Sequence, residues 1–344
     1  MSDVNTLNEM ELARYLEANV DGFQGPLIAS KFSGGQSNPT FKIDAASGSY
    51  VLRRQPPGKL LKSAHAVDRE YRVLAALAET DVPVAKVYHL CEDPEVIGSM
   101  FYIMEFCDGN VHWSSALGAI SSNELRGQMY DEMNRVMAAI HSVDLEKVGL
   151  ADYGRPGNYF QRQVDRWSSQ YKASELTPIP EMDRLIQWLA DNMPDDDGRV
   201  SLVHGDYRLD NLMFSNDNQQ VIAVLDWELS TLGHPFADLA YQCMGMRLPA
   251  VEEQGTSSGL MGVDVAAIGI PSEQEYVAKY CERMGIDKID NWSFYLAFSF
   301  FRLAAICQGV AKRAADGNAS NKRANSVGAM VQPLAMNAIN IIDE

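Results

Sequence analysis

Oxygen-bearing side chains crowd two short stretches of this sequence, LVHGDYRLDNLMF (202–214) and VIAVLDWELS (221–230), which carry Asp206, Asp210, Asn211, Asp226 and Glu228. Both stretches are otherwise among the most apolar in the chain, where an unpaired carboxylate is costly. A hard divalent cation would answer that cost, because it prefers oxygen donors and can bridge phosphate oxygens while neutralising their charge. Taken singly, each acid reads as a turn or cap residue. The joint spacing favours chemistry: Asn211 follows Asp206 by five positions, and Asp226 follows Asn211 by fifteen.

Elements must exist that bring these groups together. Leu212–Phe214 and Val221–Leu225, joined by the turn SNDNQQ, predict a hairpin that delivers Asn211 and Asp226 to one place. The first hundred or so residues read as β-rich: FKIDAASGSYVLRRQ alternates apolar and polar residues on either side of a Gly-Ser turn, and MFYIMEF is a further strand. Between them, SAHAVDREYRVLAALAET places Val67, Tyr71, Leu74, Leu77 and Ala78 on one helical stripe, with Ser63 as its N-cap. From about residue 120 the character is helical. Met129, Met133, Val136, Met137 and Ile140 form a core stripe, RLIQWLADNM is a second helix, and NWSFYLAFSFFRLAAICQGVAKRA is apolar on nearly all sides and therefore central. ADYGRPGNYFQRQ and RLPAVEEQGTSSGLMGVDVAAIGIPSE read as loops.

Composition narrows the function classes. The chain has 344 residues, 46% of them hydrophobic, which suits two lobes with ample core. A formal charge of −17 repels nucleic acid and anionic lipid, so a polyanionic ligand needs a local basic pocket or a metal. Neither a nucleic-acid nor a membrane partner is expected. The five cysteines, Cys91, Cys107, Cys243, Cys281 and Cys307, contain no C-x-x-C pair and read as core thiols. No basic flank with an apolar stretch opens the chain and no run of about 18 apolar residues is evident, so the expected location is cytoplasmic.

An aspartate, an asparagine five positions on, a strand pair and a second aspartate is the order in which kinases carry a catalytic base and two Mg²⁺ ligands. The upstream half should then hold a phosphate-covering loop and a basic strand residue. FSGGQSNPTFKI is a turn able to offer backbone N–H groups from Gly35, Gln36, Ser37 and Asn38, although a plain hairpin turn explains it equally. YVLRRQPPG follows, with Arg53 and Arg54 where kinases carry a lysine. Strand alternation lets only one of them face the ligand; Arg53 is the expected one, with Arg54 in its place if the register differs. An arginine fork can grip phosphate and carboxylate together. Its partner is expected to be Glu70 in DREYRVL, with Asp68 the alternative.

With GGQSNPTF, YVLRRQPPG, DREYRVL, HGDYRLDNLMF, VLDWELSTLGHPFADLA and FRLAAICQGV all in place, the chain resembles the aminoglycoside phosphotransferase and choline kinase family. It looks most like the branch fused to some acyl-CoA dehydrogenases, although no dehydrogenase domain is expected in a chain ending at Glu344. The resemblance implies an α+β, bilobal protein-kinase-like fold: a small β-rich N-lobe with one main helix (1–106, nucleotide-binding) and a larger, mainly helical C-lobe (107–344, catalytic and acceptor-binding). It implies ATP, Mg²⁺ and a small-molecule hydroxyl acceptor. In it YIMEFCDG looks like the hinge, with backbone groups of Glu105, Phe106 and Cys107 facing the adenine and Met104 beside it. Asp238 resembles a brace of the catalytic loop, and His204 reads as scaffold. Arg208 and Asp210 touch a ligand or pair with each other at the surface, and the role of Glu228 is open.

The expectation is an ATP-dependent small-molecule kinase with Asp206 as base, Asn211 and Asp226 on Mg²⁺, and Arg53 with Glu70 on the phosphates. The rival is a nucleotide-binding pseudokinase, kept alive by arginine in the lysine's place. Tyr159, Phe160, Arg162, Arg166 and Trp167, with the basic cluster Lys312, Arg313, Lys322 and Arg323, point to an anionic or amphipathic acceptor, since a polycation would want carboxylates there, or to solvated helix faces; the resemblance to the dehydrogenase-fused branch implies an acyl-CoA-type molecule as one candidate.

Overall fold

The structure is a computed structural model describing residues 6–32, 38–56, 66–250, 258–317 and 327–344. In chain order it runs α1 (Glu9–Asn19), β1 (Leu27–Lys31), β2 (Thr40–Ala45), β3 (Gly48–Arg54), α2 (Val67–Leu77), β4 (Val87–Cys91), β5 (Phe101–Glu105), β6 (Asn110–Val111), α3 (Asn123–His141), α4 (Tyr159–Ser174) and α5 (Pro180–Asp191). Then come β7 (Ser201–Val203), β8 (Leu212–Phe214), β9 (Val221–Val224), β10 (Thr231–Gly233), α6 (Phe236–Met246), α7 (Glu273–Met284), α8 (Trp292–Ala315) and α9 (Val331–Asp343). Two compact units result: Met1–His112 with Asp144–Ala151 and Asp210–Ser230, and Trp113–Val143 with Asp152–Leu209 and Thr231–Glu344. The division is therefore not the contiguous one at 106/107. The β8–β9 hairpin belongs to the first unit because β8 pairs with β6, so long-range strand pairing overrides sequence proximity.

The first unit carries a five-stranded antiparallel sheet in the order β1-β2-β3-β5-β4. The β2–β3 turn is Ala46–Ser47, and Gly48 already pairs with Ala45, one step earlier than the expected Gly-Ser turn. One sheet face is covered by α1, whose Leu12 and Leu16 pack with Phe41, Ile43, Leu52, Phe101 and Ile103. That helix is a second one beside the expected single main helix, and its two-residue apolar stripe is too thin to stand out. On α2 the buried face is Val67, Glu70, Val73, Leu74 and Leu77, whereas Ala78 is exposed. Its N-cap is Ala66, and Ser63 lies outside the described residues.

The second unit is mainly helical. The methionine stripe of α3 is fully buried, as its spacing predicts. α4 begins at Tyr159 inside a stretch expected to be loop, entered through the left-handed residues Gly157 and Asn158, and its Tyr159 and Phe160 are buried core residues rather than the wall of an acceptor site. α8 is long and apolar enough by composition to cross a membrane, contrary to the reading of the sequence. Of its apolar window 72% is buried against the rest of the unit, which is why its apolar residues run round the whole helix. The class is the expected α+β: a small antiparallel-sheet part and a larger helical part.

Candidate active site

In the first unit Arg53, on the central strand β3, gathers three carboxylates. Its Nε lies 2.7 Å from Glu70 Oε2, off hydrogen-bond geometry but a close ion pair. Its Nη2 lies 2.6 Å from Asp226 Oδ1 and 3.8 Å from Glu228 Oε2. Strand alternation sends the neighbouring Arg54 to the other face, where it is buried and donates through Nε to Ser99 Oγ at 3.0 Å. Glu70, on the buried side of α2, also accepts from Asn38 Nδ2 at 2.9 Å and from the Tyr102 hydroxyl at 3.1 Å. Burial, opposed by Arg53 and reinforced by Asp226 and Glu228, pushes Glu70 up to about 7. Burial works against the charge on Arg53, but Glu70, Asp226 and Glu228 hold its guanidinium above the ordinary value. A guanidinium with several carboxylates around it stays charged.

The hairpin supplies the rest of this half. Leu212 pairs with Val224, and the Leu225 N–H donates to the Asn211 carbonyl at 2.8 Å, so the residues flanking Asn211 and Asp226 are tied together. Asp226 itself is left-handed (φ 63°, ψ 61°), a conformation that aspartate tolerates better than most side chains and that marks functional turns more often than ordinary ones. Ligand oxygens of Glu70, Asp226 and Glu228 lie within 4.8 Å of one another. This all-oxygen donor set suits a hard divalent cation, and the Asn211 carbonyl, bonded to the Leu225 N–H, ties Asn211 to the residue preceding Asp226.

In the second unit the HGD sequence is held by its backbone. Asp238 on α6 accepts from the N–H groups of His204 at 2.6 Å and Gly205 at 2.8 Å, and faces His141 Nε2 at 3.3 Å. Burial disfavours its charge, but the hydrogen bond from His141, the nearby imidazoles and the Gly205 N–H hold it below the usual carboxylate value. His204 is fully buried and its Nδ1 accepts the Asp206 N–H at 3.2 Å, a scaffold role. Gly205 has φ 83°, the left-handed region where a side chain would be strained. Asp206 faces Arg208 Nε at 3.3 Å and keeps some exposure.

The remaining predicted residues fall as follows. Gly35, Gln36 and Ser37 lie outside the described residues, as do Lys322 and Arg323. Asn38 is buried, with its side chain committed to Glu70. The Glu105 N–H donates to the Lys86 carbonyl at 2.8 Å, so that group belongs to the sheet edge rather than to an adenine. Phe106 and Cys107 follow outside the ladder; burial, then Glu105, pushes the Cys107 thiol up to about 11. Asp210 is buried rather than lying at the surface. Asp68 is not among the Arg53 partners, whereas Glu228, whose role was open, is. Tyr102 was missed: on β5 it looks like one more core aromatic, and only the fold reveals its hydroxyl on Glu70.

A sequence model of the phosphotransferase enzyme family matches residues 28–258, spanning β1, the Arg53 strand, the HGD loop and the β8–β9 hairpin. The chain belongs to the phosphotransferase enzyme family. Acyl-CoA dehydrogenase family member 10 of Mus musculus is 48% identical over 311 residues, covering 90% of this chain and 29% of that protein. This phosphotransferase-family chain thus spans under a third of that relative. A crystal structure from Ralstonia eutropha, of a candidate aminoglycoside phosphotransferase, is 48% identical with a TM-score of 0.89, covering 98% of this chain and 99% of the other. Spectinomycin phosphotransferase, solved with ADP and spectinomycin, shares the fold at 12% identity and a TM-score of 0.64, covering 98% of this chain and 99% of that one.

Proposed function

We propose that this family member is an ATP-dependent phosphotransferase that moves the terminal phosphoryl group to a hydroxyl of a small molecule, and that it works in the cytoplasm. The observation that carries the reading is the convergence of Glu70, Asp226 and Glu228 on Arg53, with Asn211 tied to Leu225 beside it. Charge of this density in a half-buried site suits a polyanion and its counter-ion. Asn211 and Asp226 would hold Mg²⁺, which when bound neutralises phosphate charge. Arg53 takes a phosphate oxygen with one face of its fork while Glu70 fixes the other. Residues 1–106 would serve mainly the nucleotide, through residues 35–38 and the backbone of Phe106 and Cys107.

Asp206 orients the acceptor hydroxyl and takes its proton as the new P–O bond forms and the bond to the departing ADP oxygen breaks. Positioning and charge stabilisation carry most of the rate. For the acceptor we propose an anionic or acyl-CoA-type molecule, supported by Arg166 stacked on Trp167 at 5.4 Å and by Lys312 and Arg313 at the end of α8. Lys312 is also paired with Asp316 at 2.6 Å, so its charge is partly spent.

The pseudokinase reading draws on the same cluster, because Arg53 already occupies Asp226. A thermal-shift series separates the two first at the level of the ion. At 100 times its Kd, MgATP should stabilise the wild type by about 2.7 kcal/mol by mass action, and Asp226→Ala should lose most of that shift. An equal shift in the variant removes the metal assignment. Nucleotide turnover by the wild type but not by Asp206→Asn then favours the enzyme over the binding protein.

A further inference from the structure

The Gly205–Asp206 peptide is gripped on both edges. Its N–H goes to His204 Nδ1, and its carbonyl accepts from Arg302 Nη2 at 2.5 Å, an arm reaching in from the middle of α8. Arg302 is buried on a helix face otherwise made of Phe298, Phe301, Ala305 and similar residues, where a cation is out of place. Among the described residues no carboxylate lies within ion-pair distance of it. Its charge is met by the Gly205 carbonyl and by two aromatic faces, Trp167 at 5.8 Å and Tyr241 at 5.2 Å. Tyr241, on α6, in turn stands in the field of Asp206: burial and then the Asp206 carboxylate push its phenol up, so it keeps its proton.

We infer that Arg302, with Tyr241 stacked against it, is the positioning residue of Asp206. Asp238 fixes the loop before Asp206 through two N–H groups, and Arg302 fixes the one carbonyl that Asp238 cannot reach because a carboxylate only accepts. A planar guanidinium meets both demands, since it donates in its plane and stacks through its faces, so one side chain sets both the Gly205 carbonyl and the Tyr241 ring. The ring's hydroxyl, kept protonated, in turn lies in the field of the Asp206 carboxylate. A filler of the α8 core needs none of this, and methionine would fill the same volume at lower cost.

The inference rests on Asp206 acting as the base, and the test separates the two. Hydrogen exchange of the 201–209 amides is measured in full-length wild type, Arg302→Met, Arg302→Lys and Gln308→Met. The last removes a hydrogen bond from the same helix to the Ser174 carbonyl and controls for general loosening of α8. Arg302→Met should speed exchange at His204 to Asp206 by about tenfold beyond the Gln308→Met control, since local opening is read directly by exchange. Arg302→Lys should recover most of the protection, because it keeps a donor and a charge. Arg302→Gln replaces Arg302→Met if that variant does not fold.

In parallel, MgATP consumption should fall about tenfold or more in Arg302→Met and severalfold in Tyr241→Phe, with the nucleotide KM within twofold of wild type in both. Loop exchange equal to that of the control, or turnover at the wild-type level in both variants, overturns the inference. Asp206→Asn at the wild-type rate instead overturns the base reading, while the exchange result still decides whether Arg302 holds the loop.

Discussion

In the first unit the charge on Glu70 is answered by another charge, the Arg53 guanidinium 2.7 Å away, whereas in the second the charge on Asp238 is answered by backbone N–H groups of His204 and Gly205 at 2.6 and 2.8 Å. The difference lies in what can move. Arg53 sits on rotatable bonds and shares its fork among Glu70, Asp226 and Glu228, so it can trade one partner for a phosphate oxygen without disturbing β3. Asp238 holds main chain, and nothing can replace it without moving the loop. In the first unit the charged partners can therefore exchange, whereas in the second the carboxylate of Asp238 stays bound to main chain.

That contrast is sharpened first at the residue the rigid half presents. Asp206→Asn should lower turnover by about 10²–10⁴-fold, the usual contribution of a general base, with MgATP affinity within a few-fold of wild type and the ligand-free melting temperature unchanged. Equal turnover in a steady-state assay would mean that the backbone brace serves no catalytic base. Next is the exchangeable half. Arg53→Met should weaken MgATP binding by about 2–5 kcal/mol, as truncating one member of a buried charge pair does, and calorimetry reads it. Arg54→Met, across the strand on Ser99, should leave affinity unaltered; the reverse ranking would break the assignment of Arg53 to the ligand.

A smaller effect belongs to Asp238→Asn, which weakens two charge-assisted hydrogen bonds and should cost about 1.5–3 kcal/mol of stability. The sign with pH follows from linkage. Asp238 is held below the carboxylate value of 3.8, so its stabilisation is present above that pH and lost as pH falls through the still lower folded value. Denaturation midpoints of wild type and variant should differ most near neutrality and converge below pH 3.8. The smallest effect is expected at the surface pair Arg184–Asp343, both members about half exposed. Arg184→Ala should leave the denaturation midpoint almost unchanged, and less changed still in high salt, and a clear loss would mean that buried and surface charges in this chain do not differ in kind.

Much of this was legible in the sequence where signals are local. The α3 methionine stripe, the hairpin over 212–224 and the β5 strand follow from periodicity and turn chemistry, which neighbours in sequence dictate. Less legible were elements whose logic is long-range. α4 begins inside a Gly/Pro-rich stretch because two left-handed residues start it there, and α1 shows its two-leucine stripe only against the sheet it covers. Among the candidate residues, Asp206, Asn211 and Asp226 stood out because their spacing along the chain is itself the signal. Tyr102, Glu228 and Arg302 carry no such spacing: each is one aromatic, acid or base in an apolar or loop setting until a partner distant in sequence meets it.

The sequence by itself determined which chemical groups this protein has and in what order, hence its family, its α+β class and the identity of the charged residues spaced for phosphoryl chemistry. Only the tertiary structure decided which of two adjacent arginines meets Glu70, that the Asn38 side chain and the Glu105 N–H are already committed, and that β8–β9 belongs with residues 1–112 rather than with the helices. The physical reason is the range of the interactions. Periodicity, turns and motif spacing are set within a few residues of one chain, whereas the direction of a buried side chain and the partner of a buried charge are fixed by strands and helices that packing brings together from far apart in the sequence.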